Sequence, residues 1–374
     1  MSAGTDASPV SAPVHVRTPP RTFAMTEHAI DGYPIPVLTT TDLDTLIADT
    51  EAEIMSLIAE AEDPRTTELY GMVRYHLGLD RDGPRGKRIR PLLGLLAYRS
   101  ITGEHARALP GAAAVELGHN FSLVHDDIED RDVERRHRAA LWTVYGIPQA
   151  INTGDTLFTL SRIALHRLTG LGFSDARVLA LMRLYDETCL ALSEGQFMDI
   201  WTAEHDVPMS VDFYFDMIGR KTAALIAASV QAGAMLATEE PDVIEAYRRF
   251  GWALGLAFQL NDDLLGIWGD EQATGKEPSD IAKKKKTLPV IYALEHAGPE
   301  DRERLLTIVR LREPDDAEIT EARAIIERTG ARSYTRERAR AYRDEAVQQL
   351  ERAGVVDTEA LERLRAIVVS AISA

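Results

Sequence analysis

From residue 42 onward, apolar residues return at three- and four-residue intervals, beginning with Leu43, Leu46, Ile47, Ile54, Leu57 and Ile58. This spacing lines one face of a helix, so it predicts amphipathic helices and not strands. The pattern runs on to the C-terminus. It is punctuated by the short turns DRDGPRG, TGLGFSD and HAGPED, whose Gly, Pro and Asp residues end helices. No series of alternating apolar and polar positions joined by hairpin signals stands out, and no repeat of solenoid length is evident. The expectation is an all-α, single-domain bundle over residues 41–374.

Residues 1–40 break this pattern, being rich in Pro, Ser, Thr and Ala with few large apolar side chains. Such a segment cannot bury enough surface to offset chain entropy, so a disordered extension is expected. It is either a passive tail or a docking or cargo-targeting segment acting through the apolar element YPIPVL. No charged stretch followed by an apolar core marks a signal peptide. The uncharged run from Thr222 to Thr238 is Ala-rich and shorter than the ~20 apolar residues of a membrane span. A buried helix, with no stable membrane insertion, is expected there.

Composition narrows the function. A net charge of −17 disfavours nucleic acid and anionic lipid as partners, so any anionic substrate must be held by local clusters of cations. The single cysteine, Cys189, excludes an intrachain disulfide and fits a reducing cytoplasm. It lies in an apolar helical stretch with nothing nearby to activate a thiol.

Three constellations carry chemistry. In FSLVHDDIEDRDVERR, Asp126 and Asp130 are one helical turn apart on one face, where they repel each other unless a cation lies between them. Carboxylates of this kind suit Mg²⁺, which keeps several waters and shares the phosphate oxygens of its substrate. Asp127 points elsewhere. His119, two turns earlier, shares the face of Asp126. Arg135 and Arg136 follow, and forked guanidinium donors beside a metal-binding pair suit a diphosphate. The second constellation, RDGPRGKRIRP, sets five cations against one acid between residues 81 and 91. Gly86 allows a close turn, and Lys87 and Arg90 then share a helix face that can hold a phosphate. The third is FQLNDDLLGIWGD, where Asp262 and Asp263 precede Lys276, Asp280 and the run Lys283–Lys286. Of that run, a solvated loop is expected for Lys283, Lys284 and Lys286.

In this order and spacing the motifs resemble those of the trans-type polyprenyl diphosphate synthases, and most closely geranylgeranyl diphosphate synthases of actinobacterial type. The resemblance spans about residues 42–374. GKRIRP, DDIED, EGQFMD, GRKTAAL, FQLNDD and TGKEPSDIAKKKKTLP each match a family element. It implies an isoprenoid-synthase bundle around a deep apolar cavity, a homodimer, and about three Mg²⁺ ions held by Asp126, Asp130 and Asp262. It also implies an allylic diphosphate bound by Arg135, Lys221 and Lys276 with help from Lys285. Isopentenyl diphosphate would lie on Lys87, Arg90, His119 and Arg136, with Thr222 and Gln259 beside the reacting carbons. Two positions depart from the family pattern. Gly266 replaces the last acid of the second aspartate motif, with Asp270 a distant substitute, and Trp142 stands where a histidine is common.

The implied reaction ionises the allylic substrate in a dry cavity and joins the cation to isopentenyl diphosphate. Released diphosphate serves as the base. Product length should be set below the first aspartates. There Phe121, five residues before Asp126, would limit the tail while Ser122 and Gly118 leave room around it. One aromatic with a small neighbour points to a C20 product, geranylgeranyl diphosphate, with farnesyl diphosphate second. A class I terpene cyclase is disfavoured, because Leu265 and Gly269 occupy the Ser/Thr and Glu positions of its second motif and it has no use for GKRIRP. A non-catalytic partner subunit is disfavoured by the intact first motif.

Overall fold

The computed structural model describes residues 40–80, 85–205, 207–269, 280–311, 313–353 and 356–370. The extension expected over residues 1–40 lies outside these but for Thr40, which opens the first helix. The helices are α1 (Thr40–Ala61), α2 (Thr67–Leu77), α3 (Ile89–Thr102), α4 (Leu109–Glu129), α5 (Leu141–Tyr145), α6 (Ile147–Gly170), α7 (Asp175–Glu204) and α8 (Val211–Ile218). A π-helical turn, Gly219–Ala223, leads into α9 (Ala224–Ala237) and α10 (Pro241–Trp268). The chain closes with α11 (Leu288–His296), α12 (Pro299–Arg310), α13 (Asp316–Arg328), α14 (Ala331–Glu351) and α15 (Thr358–Ser370). The all-α expectation holds.

The turns act as their residues require. In TGLGFSD, Gly172 takes φ +84° and Ser174 caps α7, accepting from the Arg177 amide at 3.3 Å. In HAGPED, Pro299 opens α12, where a missing N–H costs nothing. The stretch ALIAASVQAGAMLA is apolar all round and forms α9, buried among α3, α7 and α10. Among the described residues no helix is long and apolar enough to cross a membrane.

The functional face is framed by α4, α6, α7 and α10, with α4 lying along α6 and α9 along α10. Among the described residues one short antiparallel hairpin interrupts the helices, pairing Glu134–Arg135 with Arg138–Ala139. Its two turn residues, Arg136 and His137, take φ +54° and +59°. That geometry is normally signalled by Asn or Gly, which is why no hairpin was legible in the sequence.

Candidate active site

The end of α4 presents the first acidic motif. Asp130 caps the helix, and its amide donates to the Asp126 carbonyl at 2.8 Å, which fixes the two residues one turn apart. Loss of hydration, opposed by Lys221 and reinforced by Glu129 and Asp130, pushes the Asp126 carboxyl up to about 7. Asp130 is raised for the same leading reason. Asp127 turns inward and is fully buried, and Arg135 Nε donates to its Oδ1 at 2.6 Å. Its Oδ2 is buried without a partner among the described residues. Trp142 donates its indole N–H to the Asp132 carbonyl at 2.8 Å, pinning the loop behind the motif.

The facing wall is built from α7 and the π turn. Gly195 allows their backbones to touch, since a Cβ there would lie 2.5 Å from the Lys221 nitrogen. One turn on, Lys221 Nζ donates to Asp199 Oδ2 at 2.5 Å. Burial pulls the Lys221 ammonium down, but Asp199, then Asp126 and Asp130, leave it above the usual lysine range. Gln196 donates to Glu129 at 2.9 Å and so ties α7 to the end of α4. A π turn at such a point is a common device for aiming functional side chains.

On α10 the two acids of the second motif part company. Asp263 is buried, accepting from the Tyr214 hydroxyl, from the Leu288 amide at 2.9 Å and from Gln259 at 3.1 Å. Gln259 in turn accepts from the Thr222 hydroxyl at 3.0 Å. Asp262 is half-exposed beside this chain of bonds. Gly266 does not leave a gap, because a Cβ there would meet Asp280 Oδ2 at 1.7 Å, and Asp280 is itself buried and paired with Lys285 at 3.4 Å. Lys276 and Asp270 lie outside the described residues.

The cationic constellation gathers at His119, two turns before Asp126 on α4. Arg88, with φ +52°, is wholly buried and paired to Glu51, Glu116 and the Leu77 carbonyl. That inward turn leaves Lys87 exposed and places Arg90 3.0 Å from His119 Nε2. Burial and the neighbouring Arg90, Arg136 and Arg135 hold His119 far below the usual histidine range, so its ring is neutral and accepts from Arg90. Arg90 Nε and one terminal nitrogen of Arg136 are buried without partners among the described residues. Buried guanidinium N–H groups left unsatisfied are costly, and an anion would satisfy them.

Between the acids and the helices lies a cavity of about 300 Å³, lined by Phe121, Ser122, Asp126, Ser193, Phe197 and Lys221 among others. Behind its lining residue Phe121 stands an aromatic cluster. Phe121 packs edge-on against Phe158 at 5.0 Å, and Phe158 stacks with Tyr185 at 6.5 Å. The Tyr185 hydroxyl, bonded to Ser161 at 2.6 Å, occupies the space above Gly118, where a Cβ would come within 2.1 Å of it.

Residues 68–326 match the Polyprenyl synthetase family. The chain belongs to that family. It is 38% identical over 301 residues to a (2E,6E)-farnesyl diphosphate synthase of Mycobacterium tuberculosis, covering 78% of this chain and 82% of that one. A geranylgeranyl diphosphate synthase of the same organism is 41% identical over 256 residues, covering 67% and 72%. A crystal structure of geranylgeranyl pyrophosphate synthase from Corynebacterium glutamicum, complexed with isoprenyl diphosphate and magnesium, superposes with a TM-score of 0.73. Its identity is 26%, and the match covers 89% of this chain and 97% of that one.

In this polyprenyl synthetase the acids Asp126 and Asp130 gather with Lys221, and Arg90 with His119, as the sequence suggested. Two expectations are corrected. Gly118 accommodates Tyr185 and leaves no room for a tail. Lys286 is no solvated loop residue, since it donates to the Thr202 and Val207 carbonyls at 2.5 and 3.0 Å and closes the end of α7. Sequence reasoning gave no roles to Asp199, Tyr214 and His76. Asp199 was marked only as the last residue of EGQFMD, and Tyr214 and His76 carried no signal beyond their type.

Proposed function

We propose that this polyprenyl synthetase, a prenyltransferase, condenses isopentenyl diphosphate with an allylic diphosphate to give geranylgeranyl diphosphate. The observation that carries the C20 reading is Phe121, which lines the cavity below Asp126 and is backed by Phe158 at 5.0 Å between ring centres, while Ser122 keeps its wall small.

Asp126, Asp130 and Asp262 are the residues that would hold Mg²⁺, about three ions by family likeness. The half-buried Asp126 carboxyl, pushed up by lost hydration and by its acidic neighbours, is a group that a divalent cation would return to its anion. Among the described residues no three His, Cys, Asp or Glu side chains form a closed cage, which suits an ion that shares ligands with water and diphosphate. When bound, such ions neutralise charge on the departing diphosphate.

The protein's own groups do the rest. Arg135 and Lys221 hold the allylic diphosphate, joined by Lys276 and Lys285. Lys87, Arg90, His119 and Arg136 hold isopentenyl diphosphate. Thr222 and Gln259, locked together and to Asp263, face the reacting carbons with oriented dipoles. The apolar cavity excludes water from the carbocation. Diphosphate, the leaving group, takes the final proton. The Cys189 thiol, pushed up to about 11 by burial, has no part in this.

Exposed apolar side chains on α6 and α7, among them Ile151, Leu179 and Leu190, support a homodimer. The acidic surface and the lone, buried cysteine support a cytoplasmic enzyme, and residues 1–40 remain a candidate docking segment.

The test is turnover by purified protein with Mg²⁺, isopentenyl diphosphate and each allylic primer in turn. Products are dephosphorylated and sized by mass spectrometry beside an Asp126→Ala control. A C20 alcohol absent from the control supports the reading. A C15 alcohol, as the mycobacterial farnesyl synthase would give, keeps the reaction and rejects the floor.

A further inference from the structure

The π turn carries Thr222, and α10 carries Gln259 and Asp263 one turn apart. A line of hydrogen bonds joins the three, and its direction is fixed from the buried end. Asp263 is 2% exposed, and three donors converge on its two oxygens. The Tyr214 hydroxyl and the Leu288 amide both donate to Oδ2, the amide at 2.9 Å, and Gln259 Nε2 donates to Oδ1 at 3.1 Å. An amide that donates with its nitrogen presents its oxygen on the other side. There the Thr222 hydroxyl donates to Gln259 Oε1 at 3.0 Å. With its proton spent on Gln259, the Thr222 oxygen keeps its lone pairs for the cavity.

Tyr214 stands at the far end of this line. It comes from α8, is 2% exposed, and packs with Met217, Leu256 and Leu260 in one apolar cluster. A ring held on all sides delivers its hydroxyl to one place. The last torsion of an aspartate is soft, so a carboxylate held at a single point can turn about it. Two donors on Oδ2, one from α8 and one from the start of α11, hold its plane and with it the position of Oδ1.

We propose that Tyr214 is a positioning residue for the Thr222–Gln259 pair. Its hydroxyl fixes the Asp263 carboxylate, the carboxylate sets the amide of Gln259, and the amide turns the Thr222 lone pairs toward the developing carbocation. An oxygen lone pair aimed at a cation stabilises it, whereas an O–H aimed there would do the reverse. This rests on the assignment of Thr222 and Gln259 to the reacting carbons. Tyr214 itself touches neither substrate, and the diphosphate ligands do not depend on it.

The test uses the full-length protein with Tyr214→Phe, which deletes the hydroxyl and keeps the ring. Single-turnover condensation is followed by rapid quench, alongside steady-state KM values and calorimetric binding of isopentenyl diphosphate. The condensation rate should fall about tenfold, with both KM values and the Kd within about twofold of wild type. In a Thr222→Val background the same change should cost less than about twofold, because the hydroxyl it serves is gone. In Thr222→Ser, which keeps that hydroxyl, the cost should return to about tenfold. A Tyr214→Phe rate within about twofold of wild type would overturn the proposal, as would an undiminished cost in Thr222→Val. A rise of about tenfold in either KM would overturn it too, since it would show a general loosening of the site. Should Tyr214→Phe not fold, Tyr214→Met deletes the same hydroxyl with a more pliant side chain and carries the same comparison. Denaturant titration of Tyr214→Phe, Gln259→Met and their double variant reads the bond line without any reaction. Coupled losses support it and additive losses overturn it. Wild-type protein that elongates no primer would reject the synthase reading, and additive losses in that cycle would reject the bond line, so the two failures are told apart.

Discussion

A Cβ at Gly195 would stand 2.5 Å from the backbone nitrogen of Lys221. Helix α7 therefore touches the π turn backbone to backbone, and this contact sets the height of Lys221 against Asp199 and the first acidic motif. Gly195→Ala must push the two elements apart, because backbone atoms cannot swing away as a flexible side chain would. Displacements of this size at a reacting centre cost about a hundredfold in rate. We expect kcat/KM to fall by about that factor with helical content unchanged by circular dichroism. Wild-type activity in Gly195→Ala would mean that the position of Lys221 is not critical.

Neighbouring cations of GKRIRP should behave in opposite ways. The Arg88 side chain is 0% exposed and neutralises Glu51 and Glu116, whose side chains are 11% and 3% exposed. Glu51 keeps its ion pair with Arg85 at 2.6 Å, but Arg88→Ala leaves the Glu116 carboxylate buried without its cation and should destabilise the fold by about 3 kcal/mol. Lys87 is exposed, so Lys87→Ala should leave the Tm unchanged and raise the KM for isopentenyl diphosphate about tenfold. Denaturant titration and kinetics on both variants check this. A stable Arg88→Ala protein with a raised KM would reverse the two roles.

These two cases also mark what the sequence could disclose. Asp126 and Asp130 are a local pair that a helical period alone puts on one face, whereas Lys87, expected to share a helix face with Arg90, lies before α3, which opens at Ile89 after the left-handed Arg88. Which of five clustered cations turns inward was not legible, because Glu51 and Glu116 come from distant helices. The contact of Gly195 with Lys221 depends on a π turn that no composition announces. The Arg136 hairpin was hidden because its turn lacks Asn and Gly. Gly118 was misread because an empty position in sequence says nothing of what fills it, here the hydroxyl of Tyr185.

Asp263 should leave a signature in the pH dependence of stability. Burial, partly offset by bonds from Tyr214, Leu288 and Gln259, raises its carboxyl to about 7 in the folded chain. Unfolded, it titrates near the ordinary value of about 4. Between those values the folded chain holds a proton that the unfolded chain has released, so this group's contribution is full below about pH 4 and is lost as pH rises to about 7. Asp263→Asn cannot titrate. Measured in chelator, the Tm of wild type relative to this variant should therefore fall by about 2 °C or more between about pH 5 and about pH 8. A constant difference would mean that the folded protein keeps Asp263 ionised throughout.

Product length offers the sharpest test of the cavity, because its floor has two layers. Phe121 comes from α4 and Phe158 from α6, and their rings meet at 5.0 Å. Both are only partly buried, since each faces open space on one side. Truncating either should therefore cost less than the ~3–5 kcal/mol of a fully buried ring. Phe121→Ala removes the upper layer but leaves Phe158 braced by Tyr185 at 6.5 Å. We expect the single variant to shift the main product by one isoprene unit. Phe121→Ala with Phe158→Ala should release a broad distribution of longer chains, because nothing aromatic then lies beneath the first acidic motif on α4 and α6. Total isoprene units condensed per minute should stay within a few-fold of wild type, since the diphosphate ligands are untouched. Mass spectrometry of the dephosphorylated alcohols reads both effects. A double variant whose products keep the wild-type length would place the chain-length limit elsewhere in the bundle, and the C20 reading drawn from the Phe121–Phe158 floor would fall with it.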